Sequence, residues 1–140
     1  MANGSGTSVS AELDLHLVVP EQIAVPLVAS LSYRGDDPYA VSMAFHVGTD
    51  DPVEWIFARG LLAEGMERPA GEGDVHAWPT PGCDGGLLNI ALSSPFGEAL
   101  FEAPAFAIAA FLHRTYEAVP PGREGEYVDI EGEIDELLAS

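Results

Sequence analysis

Apolar residues recur at every second position through several consecutive segments of this chain, and a sequence patterned this way is committed to half-buried strands. In residues 11–19, Leu13, Leu15, Leu17 and Val19 share one side, while Glu12, Asp14 and His16 share the other. Pro20 and Pro26 bracket a connection, after which Leu27, Ala29, Leu31 and Tyr33 alternate with Val28, Ser30, Ser32 and Arg34. Gly35, Asp36, Asp37 and Pro38 have turn chemistry. Beyond them Tyr39, Val41, Met43, Phe45 and Val47 again fall on one face, and after Asp50, Asp51 and Pro52 a fourth strand over 53–59 carries Trp55 and Phe57 together. Four strands joined by short turns predict an antiparallel sheet.

Leu61, Leu62 and Met66 have helical spacing and predict a short helix over 60–66, ended by the breakers around Pro69, Gly71 and Gly73. Residues 74–80, 87–93 and 97–103 then read as three more strands, separated at Pro81-Gly82 and Pro95-Phe96-Gly97. Pro104 suits the start of a helix whose apolar positions Ile108, Phe111, Leu112 and Thr115 follow the i, i+3, i+4, i+7 rule until Pro120 and Pro121 stop it. His113 and Arg114 favour the C-terminal end of its dipole. Residues 123–140 hold seven acids between Glu124 and Glu136, yet Tyr127, Ile130, Ile134, Leu137 and Leu138 form an apolar stripe. An acidic amphipathic helix is expected there, one that Gly132 weakens and that needs a surface to dock on. The organisation expected is a flexible N-terminus over 1–10, one domain over 11–122, and this helix over 123–140. A loose strand, strand, strand, helix order occurs in both halves.

The 140 residues suit a single domain, and 47% hydrophobic against 20% charged residues is ample for a packed core. The charge is lopsided: 23 Asp and Glu face five Arg and no Lys, a formal net charge of -18. Phosphate backbones and anionic membrane surfaces are bound mainly through Lys and Arg, so neither is an expected partner. Acidity either keeps the protein dispersed or takes part in choosing a protein partner. Cys83 is the single cysteine, which excludes an internal disulfide and fits a reducing compartment. Residues 1–10 lack the basic and apolar regions of a signal peptide, and no apolar run is long enough to span a bilayer. Membrane insertion is therefore not expected.

Chemistry is hard to assemble from these residues. Glu12, Asp14 and His16 project from one strand face, but a flat strand does not converge three ligands on an ion. Asp74 and His76 share a face with Cys83 nearby in a loop, and nothing in the sequence orients a thiol towards a base. Ser93-Ser94-Pro95 lacks the setting of an activated serine. The pairs Asp36-Asp37 and Asp50-Asp51 are turn residues. His46 and His113 read as scaffold histidines, and Trp55 and Trp78 as core or subunit-interface residues. No catalytic, cofactor-binding or metal-binding residue is assigned, and no enzyme is expected.

Asp37-Pro38-Tyr39-Ala40-Val41 is followed by Glu54-Trp55-Ile56-Phe57-Ala58-Arg59 with Leu61 and Leu62, and then by Gly73-Asp74-Val75. Leu92-Ser93-Ser94-Pro95, Gly97-Glu98-Ala99-Leu100, Ala103-Pro104, Phe111-Leu112 and Val119-Pro120-Pro121-Gly122 complete an ordered set. Over residues 12–122 this set resembles the SsgA-like sporulation and cell-division proteins of actinobacteria. The resemblance implies a Whirly-like α+β fold of about seven strands in two antiparallel sheets, with a short middle helix and C-terminal helices. It also implies a non-enzymatic regulator, cytoplasmic and drawn to the division septum, that recruits the tubulin-like protein FtsZ and helps position septa. An SsgA-type paralogue and self-association as a homotrimer are the further partners implied. The family pattern places an acidic residue after Ala58-Arg59, where this chain has Gly60. The alternative is a single-stranded nucleic-acid binder of Whirly type, which would need a positive groove and aromatic platforms that five scattered arginines do not readily supply.

Overall fold

The structure is a computed structural model that describes residues 8–19, 21, 23–46, 53–82, 85–95 and 97–126. Eight strands and two helices follow one another in the order β1 (Ser8–Val19), β2 (Ile23–Arg34), β3 (Ala40–His46), β4 (Val53–Ala58), α1 (Arg59–Gly65), β5 (Ala70–Glu72), β6 (Val75–Thr80), β7 (Leu87–Ser94), β8 (Gly97–Pro104) and α2 (Ala105–Ala118), with a 3-10 turn at Glu124–Glu126. Four strands and a helix thus occur twice, which makes good the loose internal order of the sequence.

All the strands are antiparallel and form one sheet in the order β4-β3-β2-β1-β8-β7-β6-β5. The seven strands in two sheets that were expected are therefore eight strands in one hydrogen-bonded sheet. Its two meanders are stitched together only where His16, Leu17 and Val18 of β1 pair with Glu102, Phe101 and Leu100 of β8. The sheet nonetheless has two halves that face each other. β3 and β8 are three strand spacings apart, which in a flat sheet is about 14 Å. The rings of Phe45 on β3 and Phe101 on β8 are instead stacked with centroids 4.0 Å apart. The sheet must curl into a half-barrel for that contact to exist.

The core lies inside this curl. Leu13, Leu15, Ala29, Leu31, Val41, Met43 and Phe45 from the first half meet Leu88, Ile90 and Phe101 from the second. α2 covers one end with Ile108, Phe111, Leu112 and Thr115, the residues its spacing singled out. Arg114 does not serve the helix dipole as expected. It reaches across to β1 and donates to the Ser10 carbonyl at 2.9 Å, on the stretch of β1 that β8 leaves unpaired.

Three boundaries differ from the expected ones for physical reasons. β1 starts at Ser8, so residues 8–10 belong to the sheet. β2 begins at Ile23 and runs through Pro26, which pairs with His16 but lies past Val28, the last partner of β3. On that open edge a missing N–H breaks no ladder bond. β5 was read as a breaker, yet Ala70, Gly71 and Glu72 pair with Ala77, His76 and Val75. The Gly71 backbone has φ +120, and a side chain there would meet the Val75 carbonyl. Of the helix expected over 123–140, only residues 123–126 are described, and they hold the 3-10 turn at Glu124–Glu126; residues 127–140 lie outside the described residues.

Candidate partner-binding surface

The residues with chemical potential are dispersed. Glu12, Asp14 and His16 are exposed on the outer face of β1, opposite Ser30, Val28 and Pro26. His76 is exposed and hydrogen-bonds the Gly73 carbonyl at 3.1 Å, while the Asp74 carbonyl accepts from the Ser93 amide. Cys83, Asp50 and Asp51 lie outside the described residues. His46 sits 2.9 Å from the Ser30 hydroxyl on the outer face, and His113 is exposed on α2. Among the described residues no group of three or more His, Cys, Asp or Glu could hold a metal ion. Trp55 is half-buried against the core, and Trp78 is half-buried with its carbonyl accepting from Asn89.

The residue that sequence reasoning passed over is Arg59. It opens α1, follows the edge strand β4, and is only 2% exposed. Its Nη1 donates to the carbonyls of Thr115 at 3.2 Å and Val119 at 2.8 Å, and its Nη2 meets the Glu124 carboxylate at 2.8 Å. The guanidinium lies 5.0 Å from the Tyr33 ring centroid and 5.1 Å from that of Tyr116. A planar cation with donors on several edges is suited to this many partners at once. Bonding to Arg59 holds the Glu124 carboxyl below its ordinary value, aided by backbone amides at Glu124 and Gly122 and opposed by its own burial. The only sequence clue was an arginine set directly after a strand reading Trp55, Ile56, Phe57. A buried cation cannot be told from a surface one by spacing alone.

The other arginines are engaged as well. Arg34 pairs with Asp36, Arg68 with Glu64 and Glu67, and Arg123 with Glu126. Four of the five cations are thus answered by carboxylates, and Arg114 is bonded to a backbone carbonyl. The positive charge is spread out and locally cancelled, and it forms no groove.

What the surface does offer is apolar. On the inner face of the curl the core continues past the end of the half-barrel into solvent. Val53 of β4 and Ile23 of β2 are 52% and 55% exposed. Between Val53 and the β7–β8 end lies a cleft of about 290 Å³, lined by Leu17, Leu27, Phe45, Trp55 and Phe101, with Glu98 also among its lining residues. Phe106, at the start of α2, is a separate exposed aromatic. Among the described residues no helix is long and apolar enough to cross a membrane.

Comparison with known proteins matches this arrangement to one group. Residues 27–124 match the family model described as Streptomyces sporulation and cell division protein, SsgA. The sporulation-specific cell division protein SsgB of Thermobifida fusca is 56% identical over 98% of this chain and 99% of its own. The SsgB of Streptomyces coelicolor is 53% identical over 95% of this chain and 97% of its own. A crystal structure of an SsgA-like sporulation-specific cell division protein from T. fusca superposes with a TM-score of 0.86 at 56% identity, covering 97% of this chain and 98% of the other. A structure of S. coelicolor SsgB, in which mutations correlate with longitudinal cell division during sporulation, gives a TM-score of 0.84 at 52% identity over 90% and 99%. These likenesses extend over nearly the whole chain and agree in sequence and in fold, and so this chain belongs to the SsgA family of sporulation and cell-division proteins.

Proposed function

We propose that this chain is a non-enzymatic cell-division protein of sporulation that recruits FtsZ to the sites of septation and so helps position septa. The observation that carries the reading is its likeness, over almost its full length, to relatives named as sporulation-specific cell division proteins SsgB. The locally cancelled arginines support a protein rather than a nucleic acid as the partner, because nucleic-acid binding gains its affinity from free cations that displace counterions. The two units of four strands and a helix support a Whirly-like description of the fold. On this reading the protein is cytoplasmic, works as a homotrimer, gathers at the septum, and meets an SsgA-type paralogue as a second partner.

The test is co-sedimentation with polymerising FtsZ from the same organism. The chain is expected in the pellet with the polymers at low-micromolar concentrations, and its absence from the pellet overturns the reading. Light scattering checks the assembly, with a mass three times the 14.8 kDa of one chain expected.

A further inference from the structure

The inner face of the sheet carries more apolar surface than the half-barrel covers. Along β2, Leu31 and Ala29 are fully buried, Leu27 is half-buried, Val25 is 37% exposed and Ile23 is 55% exposed. Along β4 the same progression runs from Phe57 through Trp55 to Val53. All of these share one face by the two-residue period of a strand. Folding does not require valine and isoleucine at the solvated ends, where serine or threonine would hold the strand as well. A contiguous apolar mouth of this kind marks a surface that is covered when the protein works. The cleft that opens there has a volume near the lower end of the range of small-ligand sites, about 300 Å³. That is room for a few apolar side chains.

We infer that this cleft seats a segment of a protein partner, a short run of apolar side chains flanked by Lys or Arg. The inference rests on the reading that the chain acts by recruiting another protein, and it adds where and by what chemistry. Charge selects the occupant. Glu98 is among the residues that line the cleft, its carboxylate accepting a bond from Ser93 on the adjoining strand, and the chain as a whole carries -18. A second copy brings the same negative charge to the mouth. The chain's own terminal stretch holds seven acids between Glu124 and Glu136. Both are repelled at short range, whereas a segment with basic flanks is attracted during its approach and then buries its apolar anchors. Phe106 on α2, 66% exposed and outside the cleft lining, leaves another apolar surface open to self-association.

The experiment uses the full chain and its Val25→Ser/Val53→Ser double variant, both substitutions lying at exposed positions. Three synthetic helical peptides serve as probes: Leu with Lys, Leu with Glu, and Ser with Lys in the same pattern. Binding is measured by calorimetry near physiological salt. The Leu/Lys peptide is expected to bind the wild type, to bind the double variant about tenfold more weakly, and to bind better than either other peptide. Equal binding of the Leu/Lys peptide to both proteins overturns the inference, and so does Leu/Glu binding that matches Leu/Lys. A lower mass of the double variant in light scattering assigns the mouth to a second copy. Tighter peptide binding after removal of residues 127–140 assigns it to the chain's own terminal stretch. Either result overturns the inference. Co-sedimentation separates the two levels: if wild type and double variant pellet equally with FtsZ, the cleft loses its role while the recruiting function stands. If the wild type does not pellet, the recruiting function falls, and the peptide measurements still decide what the cleft binds.

Discussion

The carboxylate of Glu124 lies 2.8 Å from the guanidinium of Arg59 across 65 residues of sequence, and this pair ties the chain beyond α2 to the start of α1. Arg59 also donates to the Thr115 carbonyl in the last turn of α2 and to the Val119 carbonyl just past it, so its removal takes a donor from each as well as the cation from Glu124. Arg59→Ala is expected to destabilise the fold by about 3–5 kcal/mol in urea denaturation, the range for breaking a buried pair. Arg59→Lys keeps the charge without the planar fork and should fall between the variant and the wild type.

The Glu124 carboxyl is held below its ordinary value because its charged form is bonded in the folded state. A group shifted in this direction contributes stability above its unfolded titration range and loses it as pH falls through the folded value. The stability difference between wild type and Glu124→Gln should therefore be largest near neutrality and shrink as the solution is acidified through and below the usual glutamate range. Glu126, lowered by its bond to Arg123, titrates in the same direction. The comparison with Glu124→Gln isolates Glu124, and urea midpoints of both proteins across that window check it.

Two glycines of α1 should respond with opposite signs. A Cβ on Gly60 meets nothing within 4 Å, and α1 has no acid in its first turn. Gly60→Glu combines helix propensity with a favourable dipole interaction and should stabilise by about 1 kcal/mol. A Cβ on Gly65 would instead lie 2.6 Å from the Ala77 Cβ on β6. Gly65→Ala should destabilise by about 1–3 kcal/mol, because the helix must move off the sheet. Thermal melts of the two variants give the comparison.

Phe45 and Phe101 hold the curl closed. Each single change to Ala should cost about 3–5 kcal/mol, and a double-mutant cycle should return a coupling of about 0.5–1.5 kcal/mol for the stacked pair. A coupling near zero would mean that the two halves are held together elsewhere.

Added salt should raise the melting temperature. Screening weakens the five arginine–carboxylate pairs among the described residues, which taken alone would lower it. A net charge of -18 makes repulsion the larger effect, and salt relieves it. Melting curves in low and moderate sodium chloride decide the sign.

Strand identity was legible because the period of two survives in β1, β3 and β7–β8, where one face is buried. Pro26 hid the start of β2, since the sequence does not reveal that β3 stops short of it. β5 was hidden because Ala70, Gly71 and Glu72 are too few and too plain to alternate. The antiparallel pairing of the first four strands was legible from their short turns, but the join of β1 to β8 was not, and the single sheet depends on three residues of β1 whose hydrophobicity resembles that of their neighbours. For the candidate surface, Trp55 and Val53 were visible as strand residues, but their place at an open mouth depends on where the curl ends. Arg59 was visible only as a letter in a motif.

The tether at Arg59 also determines when the protein can be complete during its own synthesis. β1–β4 can form their meander early, but the guanidinium that ends it must wait for Thr115, Val119 and Glu124 before its charge has a home. Val18 likewise waits for Leu100 to close the sheet. Neither half is a finished foldon, so a nascent chain halted midway presents an uncompensated cation and an open apolar face. The fold is thereby complete only once residues 115–124 are available to receive the Arg59 guanidinium.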